Sequence, residues 1–295
     1  MRGCAGCLLV VALIACNPAQ FPEFDPNAET LTAPTTPATL SSNRGATSPD
    51  GPATPGLYDP VLPTIVAENI PEPVDSTANT DKPTLSTEMV RLSLGDRDAR
   101  LFLPSNYNSR TDWPVVVLLH GYSAGGVLQD LYLGLSRRVD ELQVVALIPE
   151  GTRNGLGLPF WNATEFCCDT FGSGVDDVGF INKLVDHVVE TYRVDAKRVY
   201  VMGHSNGGFM AFRLACEAPE RYAAMLSLAG ATFKDEKRCK ATLPTTIVAV
   251  HGTLDPIVLY GGTPLYPGAE ETVSRFRSRN GCEKSPATSL RKELV

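Results

Sequence analysis

Ser205, in V-M-G-H-S-N-G-G-F-M-A-F from Val201 to Phe212, stands where a nucleophile would. A serine hydroxyl does little at neutral pH without a base beside it, usually a histidine. G-H-S-N-G, Gly203 to Gly207, has the spacing G-x-S-x-G, which sets a serine in a strained turn between strand and helix. Its flanking glycines let the backbone and its neighbours approach closely. The context agrees, because R-V-Y-V-M before it is strand-like and F-M-A-F-R-L-A-C after it is helix-like, with Pro219 marking the stop. Acyl transfer at such a serine needs donors aimed at the developing alkoxide. L-L-H-G-Y-S-A-G-G, Leu118 to Gly126, follows an earlier strand, so the expected donors are the backbone N–H groups of Tyr122 and Asn206. Each would stabilise the anion by roughly 3 kcal/mol. A plain glycine-rich strand-to-helix turn is the alternative. Asp255, in H-G-T-L-D-P-I-V after the last clear strand, is the expected acid that orients the base. Asp176 and Asp177 are rivals in sequence, but they open a helical stretch, where capping is the expected role.

These residues need a scaffold that brings loop ends together. Period-two patterns begin near Met89, where M-V-R-L-S-L and A-R-L-F-L flank G-D-R-D as a hairpin. Short apolar runs follow at 115–119, 144–148, 199–202, 225–229 and 247–250, separated by amphipathic segments. That alternation predicts an α/β domain with a mostly parallel sheet and helices on both faces. In the helix I-N-K-L-V-D-H-V-V-E-T-Y, the residues Ile181, Leu184, Val185, Val188 and Tyr192 form the apolar stripe, and His187 falls outside it.

The chain has 295 residues and a net charge of -7, with no basic block, which argues against nucleic acid as a partner. Its eight cysteines lack zinc spacing, and no H-E-x-x-H occurs, so no metal is expected. At the N-terminus, residues 1–16 carry one positive charge and an apolar run from Leu8 to Ala15, too short to span a bilayer. The ending L-I-A-C looks like a lipobox with Cys16 as the lipid-bearing residue, which predicts export and a membrane tether. An ordinary secretory signal cut near Ala15, or a start codon assigned too early, is the alternative. Residues 17–86 hold 13 of the 23 prolines and read as a disordered Pro/Thr/Ser-rich spacer, leaving 87–295 as the folded domain.

Five stretches together resemble secreted α/β-hydrolases of the polyhydroxybutyrate-depolymerase-like and feruloyl-esterase-like kind. They are L-H-G-Y-S-A-G-G, W-N-A-T-E-F-C-C, V-D-D-V-G-F-I, G-H-S-N-G-G-F-M-A-F-R-L-A-C and H-G-T-L-D-P-I-V-L-Y-G-G. The resemblance implies an α/β-hydrolase fold and a serine esterase without metal or organic cofactor. It also implies esters on a polymer or polysaccharide as substrates, with Ser205 and Asp255 as two members of the triad. Ser before Asp is the chain order of that fold. Trp161 would lie near the cleft, as a substrate contact or as a packing residue.

The third member of the triad is missing. In the family it follows the acid, yet none of the four histidines here follows His251. His120 sits in the oxyanion turn, His204 adjoins Ser205 and points away from it, and His187 reads as a surface residue. His251 would need an unusual triad order. About 40 residues remain after Asp255, too few for the strand and helix that usually close the fold, so I-V-A-V would present an open apolar edge. Cys216 with Cys239 is the first disulfide to expect, connectivity at Cys167 and Cys168 stays open, and Cys282 is left over. The expectation is a domain incomplete at its C-terminus, lacking the last strand, the last helix and the catalytic histidine. The function the resemblance implies for it is that of a serine ester hydrolase, expected to be a monomer. A surface lipoprotein that keeps the fold for binding alone is the alternative.

Overall fold

A computed structural model describes residues 8–14, 88–282 and 290–293 of the chain. β1 is Leu8–Ile14. The alternating pattern after Met89 gives β2 (Glu88–Leu94) and β3 (Arg97–Leu103), paired antiparallel with Leu94 opposite Arg97. Gly95 and Asp96 are left to turn the chain, and Gly95 supplies the φ of 67°.

Strands and helices then alternate. β4 (Trp113–Leu119) leads to α1 (Gly125–Leu133) and the short α2 (Val139–Leu142), and β5 (Val145–Pro149) follows. One short antiparallel pair, β6 (Thr152–Arg153) and β7 (Pro159–Phe160), precedes α3 (Asp177–Thr191). β8 (Val194–His204) runs into α4 (Asn206–Glu217), and β9 (Ala224–Leu228) and β10 (Thr246–Gly252) follow. β11 (Gly262–Thr263), β12 (Tyr266–Pro267), α5 (Ala269–Arg279) and β13 (Leu290–Glu293) complete the order. The sheet order is β13-β1-β10-β9-β8-β4-β5-β3-β2, with β10, β9, β8, β4 and β5 parallel. Each apolar run read from the sequence forms a strand, and α4 stops just before Pro219.

Side chains alternate between two cores. Val115, Val117, Leu119, Val145 and Leu147 join the larger one, with Ile181 and Leu184 of α3, Phe209 and Phe212 of α4 and Phe276 of α5. Leu118, Ala146 and Ile148 point the other way, into a small cluster with Leu135 and Val139. Period two on the strands thus places helices on both faces. α1, on β4 and β5, inverts the usual pattern: Tyr132 is 68% exposed and Gln129 only 2%.

Two expectations change. The edge at I-V-A-V is not open, because β1 lies antiparallel along β10 from Leu9↔Gly252 to Ile14↔Ile247, and β13 along β1. Pairing satisfies backbone groups that an edge would leave bare. Cys282 is not left over: it is disulfide-bonded, to a partner outside the described residues. The lipobox Cys16 and the spacer at 17–86 also lie outside them.

Cys216 and Cys239 are bonded as expected, with Cα atoms 4.6 Å apart, and Cys167 and Cys168 are bonded to each other. The first bond ties the end of α4 to the stretch before β10. Replacing both Cys216 and Cys239 by alanine should cost about 3 kcal/mol in urea denaturation, given the entropy of closing such a loop. An unchanged midpoint would show that the bond contributes nothing.

Candidate active site

The parallel strands deliver their loops to one edge of the sheet. Leu119 of β4 lies opposite Gly203 of β8, His204 opposite Leu228 of β9, and Leu228 opposite Val250 of β10. The residues that follow, Gly121–Tyr122, Ser205–Asn206 and Asp255, therefore emerge together at the carboxyl ends, where open α/β sheets bind ligands.

Ser205 joins β8 to α4 with φ 51° and ψ -117°, a combination that non-glycine residues rarely adopt. Two neighbours explain how the chain can hold it. A methyl group on Gly203 would lie 2.0 Å from the Gly207 carbonyl oxygen, and one on Gly207 would lie 2.2 Å from the Leu119 oxygen. The Ser205 amide donates to the Leu228 carbonyl at 2.8 Å, which fastens the turn to the adjacent strand. Ser205 itself is partly exposed.

The Asn206 side chain is fully buried, and it clamps the backbone of Trp161. It accepts from the Trp161 amide at 2.8 Å and donates to the Trp161 carbonyl at 2.9 Å, and it also reaches Cys167 Sγ at 3.4 Å. Its backbone N–H is at the first position of α4, where helix amides point outward and favour an anion. On the facing loop, the Gly121 amide is engaged by Gln129 at 2.9 Å and the Ser123 amide by Pro159 at 2.8 Å. Tyr122 lies between them, its hydroxyl held by Asn154 Nδ2 at 2.8 Å. A methyl group on Gly121 would be 3.6 Å from Ser205 Cβ, so this loop abuts the serine.

Trp161 is fully buried, and its indole N–H donates to the His120 carbonyl at 3.0 Å. The cleft-contact reading of Trp161 is therefore corrected: it is a packing residue beneath both loops. Asp177 is also more than a cap. Asp176 caps α3 through Gly179 N at 2.8 Å, whereas Asp177 is buried, ion-paired with Arg97, and accepts from the Asn162 amide at 2.6 Å.

Asp255 Oδ1 accepts from the amides of Ile257 and Val258 at 2.9 and 3.0 Å, which fixes its loop. Its Oδ2 is 3.6 Å from His251 Nε2, and that nitrogen also meets the Val258 carbonyl at 2.7 Å. His251 thus braces the acid's loop. His120 accepts from the Gly151 amide and bonds the Gly121 carbonyl, both at 2.8 Å, and burial pushes its imidazole below the usual range. His204 faces Gln129 Oε1 at 3.2 Å; burial lowers its pKa too, opposed by the charge of Asp255. His187 is exposed on α3. None of these contacts is with the Ser205 hydroxyl.

Gln129, Asn154 and Leu228 were missed by sequence reasoning. Only Gln129 left a trace, as a polar residue among the apolar ones of α1.

The likeness to known proteins is consistent with this geometry. Residues 93–240, just over half of the chain, match the profile of the Esterase family, described as "Putative esterase". The "Putative esterase NocK" of Nocardia uniformis subsp. tsuyamanensis is 27% identical over 81% of this chain and 68% of its own length. "Feruloyl esterase B" of Piromyces equi is 30% identical over 43% of this chain, and the match spans only 25% of that protein. A solved thermostable esterase superposes with a TM-score of 0.49 at 18% identity, covering 65% of this chain and 52% of the other.

Proposed function

We propose, from the premise that this chain belongs to the Esterase family, that it is a serine carboxylic ester hydrolase acting on polymer- or polysaccharide-linked esters. The observation that carries this reading is the left-handed Ser205 at the head of α4, held between two glycines where any side chain would press on backbone atoms. A strained turn needs a reason, and presenting a nucleophile is one. Ser205 attacks the ester carbonyl, and the amides of Tyr122 and Asn206 receive the oxyanion. An imidazole takes the serine proton and returns it to the leaving alcohol, Asp255 orients that imidazole, and water then releases the acyl group. Feruloyl and acetyl esters are the preferred candidates, the first supported by the name of the Piromyces relative; polyhydroxyalkanoate is the third. Export with lipid attachment at Cys16 belongs to the same reading, supported by the L-I-A-C ending; cleavage before Cys16 would remove β1 and leave β10 as an edge.

Among the described residues no imidazole hydrogen-bonds the Ser205 hydroxyl, and that observation favours the binding-only reading. Adding free imidazole separates the two. With an aryl acetate or methyl ferulate as substrate, tens of millimolar imidazole should raise Ser205-dependent hydrolysis on the order of 10-fold. That is a fraction of the 10²–10⁴ that a positioned base supplies. Ser205→Ala should retain only the background reaction of imidazole in solution. Identical rates for parent and Ser205→Ala at every imidazole concentration would leave the binding reading standing.

A further inference from the structure

We propose that Gln129 is a positioning residue for the hydrolysis, its one side-chain oxygen locking the loop that carries Tyr122 to the turn that carries Ser205. The proposal rests on the serine-esterase reading for its kinetic consequence, but its geometry is independent of it. Gln129 lies on α1 and is 2% exposed. Its Oε1 accepts from the Gly121 amide at 2.9 Å and faces His204 Nδ1 at 3.2 Å. Gly121 immediately precedes Tyr122, and His204 immediately precedes Ser205. A single atom therefore bridges the neighbours of one oxyanion donor and of the nucleophile.

The orientation of this side chain is forced. The Gly121 amide can only donate, so the glutamine must turn its oxygen toward it. The same oxygen then requires the proton of His204 on Nδ1, leaving Nε2 with its lone pair. Gln129 Nε2 is buried without a hydrogen-bond partner among the described residues. An apolar site with an orphaned donor is a poor place for a glutamine unless its acceptor matters. Tyr132, one turn further along α1, packs its ring 5.5 Å from that of His204 and covers the same contact from outside.

Displacing reacting groups by about 1 Å can cost 10²-fold in rate. Gln129→Met keeps the shape and removes the oxygen, while Gln129→Glu keeps an oxygen and adds charge. With an aryl acetate and added imidazole, Gln129→Met should lower kcat by about 10- to 100-fold with KM within about 3-fold. In long-range 1H–15N spectra, His204 should carry its proton on Nδ1 in the parent and shift toward Nε2 in Gln129→Met. In Gln129→Glu it should stay on Nδ1 and titrate at higher pH than in the parent, since a carboxylate favours the charged ring. A folded Gln129→Met that keeps kcat within about 2-fold, or keeps the parent tautomer, overturns the proposal. Should Gln129→Met fail to fold, Gln129→Glu decides alone: a His204 that titrates as in the parent overturns it. A parent without Ser205-dependent hydrolysis would instead sink the esterase reading, and the tautomer of His204 would still decide this one.

Discussion

Gly203→Ala should cost the domain about 4 kcal/mol or more, a large fraction of the roughly 5–15 kcal/mol a domain has to lose. The new methyl would stand 2.0 Å from the Gly207 oxygen, 2.3 Å from its carbon and 2.8 Å from Gly208 N. All three are backbone atoms of the turn itself, so no side chain can swing away to make room. Overpacking in cores usually costs 1–3 kcal/mol because neighbours shift, and that relief is absent here. Relaxing the turn would release the strain at Ser205 and move the hydroxyl as well, so activity and stability should fall together. Gly252→Ala is the control, because among the described residues nothing lies within 4 Å of its methyl position; it should stay within about 0.5 kcal/mol of the parent. Chemical denaturation of both variants, read by circular dichroism, is the measurement. A Gly203→Ala protein with the parent's midpoint would mean that the turn is not held as described.

Asp177→Ala should lose about 3–5 kcal/mol at pH 7, the usual cost of stranding one partner of a buried ion pair. Arg97, 11% exposed and lying 3.5 Å over the Phe180 ring, would keep its charge without its carboxylate. The loss should reach the site as well. Asp177 holds the Asn162 amide, Asn162 follows Trp161, and Trp161 is clamped to Asn206. Hydrolysis that depends on Ser205 should therefore weaken even at temperatures where the variant stays folded. Asp176→Ala removes only a helix cap and should cost about 1 kcal/mol. Thermal melts of the two variants distinguish a buttress from a cap, and equal losses would contradict the assignment.

What the sequence revealed and what it hid divide along physical lines. Strands such as Val115–Leu119 and the turn at Ser205 depend on neighbours a few residues away, so period and spacing expose them. The roles of Asp177 and Gln129 depend on partners far along the chain. Arg97 lies 80 residues from Asp177, and that separation left capping as the only local reading. Trp161 could have faced substrate or core, because an aromatic residue suits both, and only its contacts with His120 and Asn206 decide. The pairing of β1 with β10 was equally invisible: an apolar run at the N-terminus reads as an export segment whatever edge it can lie against. The disulfide at Cys282 was hidden too, since counting cysteines cannot say which of them pair.

The unequal thickness of the two cores has a further consequence. α4, with Ser205 and Asn206 at its head, is rooted in the larger core, whereas α1 rests on the smaller cluster and turns Leu128, Leu131 and Tyr132 to water. Local opening costs least where little apolar surface is buried. Local opening should therefore begin at α1, where it would first break the Gln129 contacts, and reach α4 last.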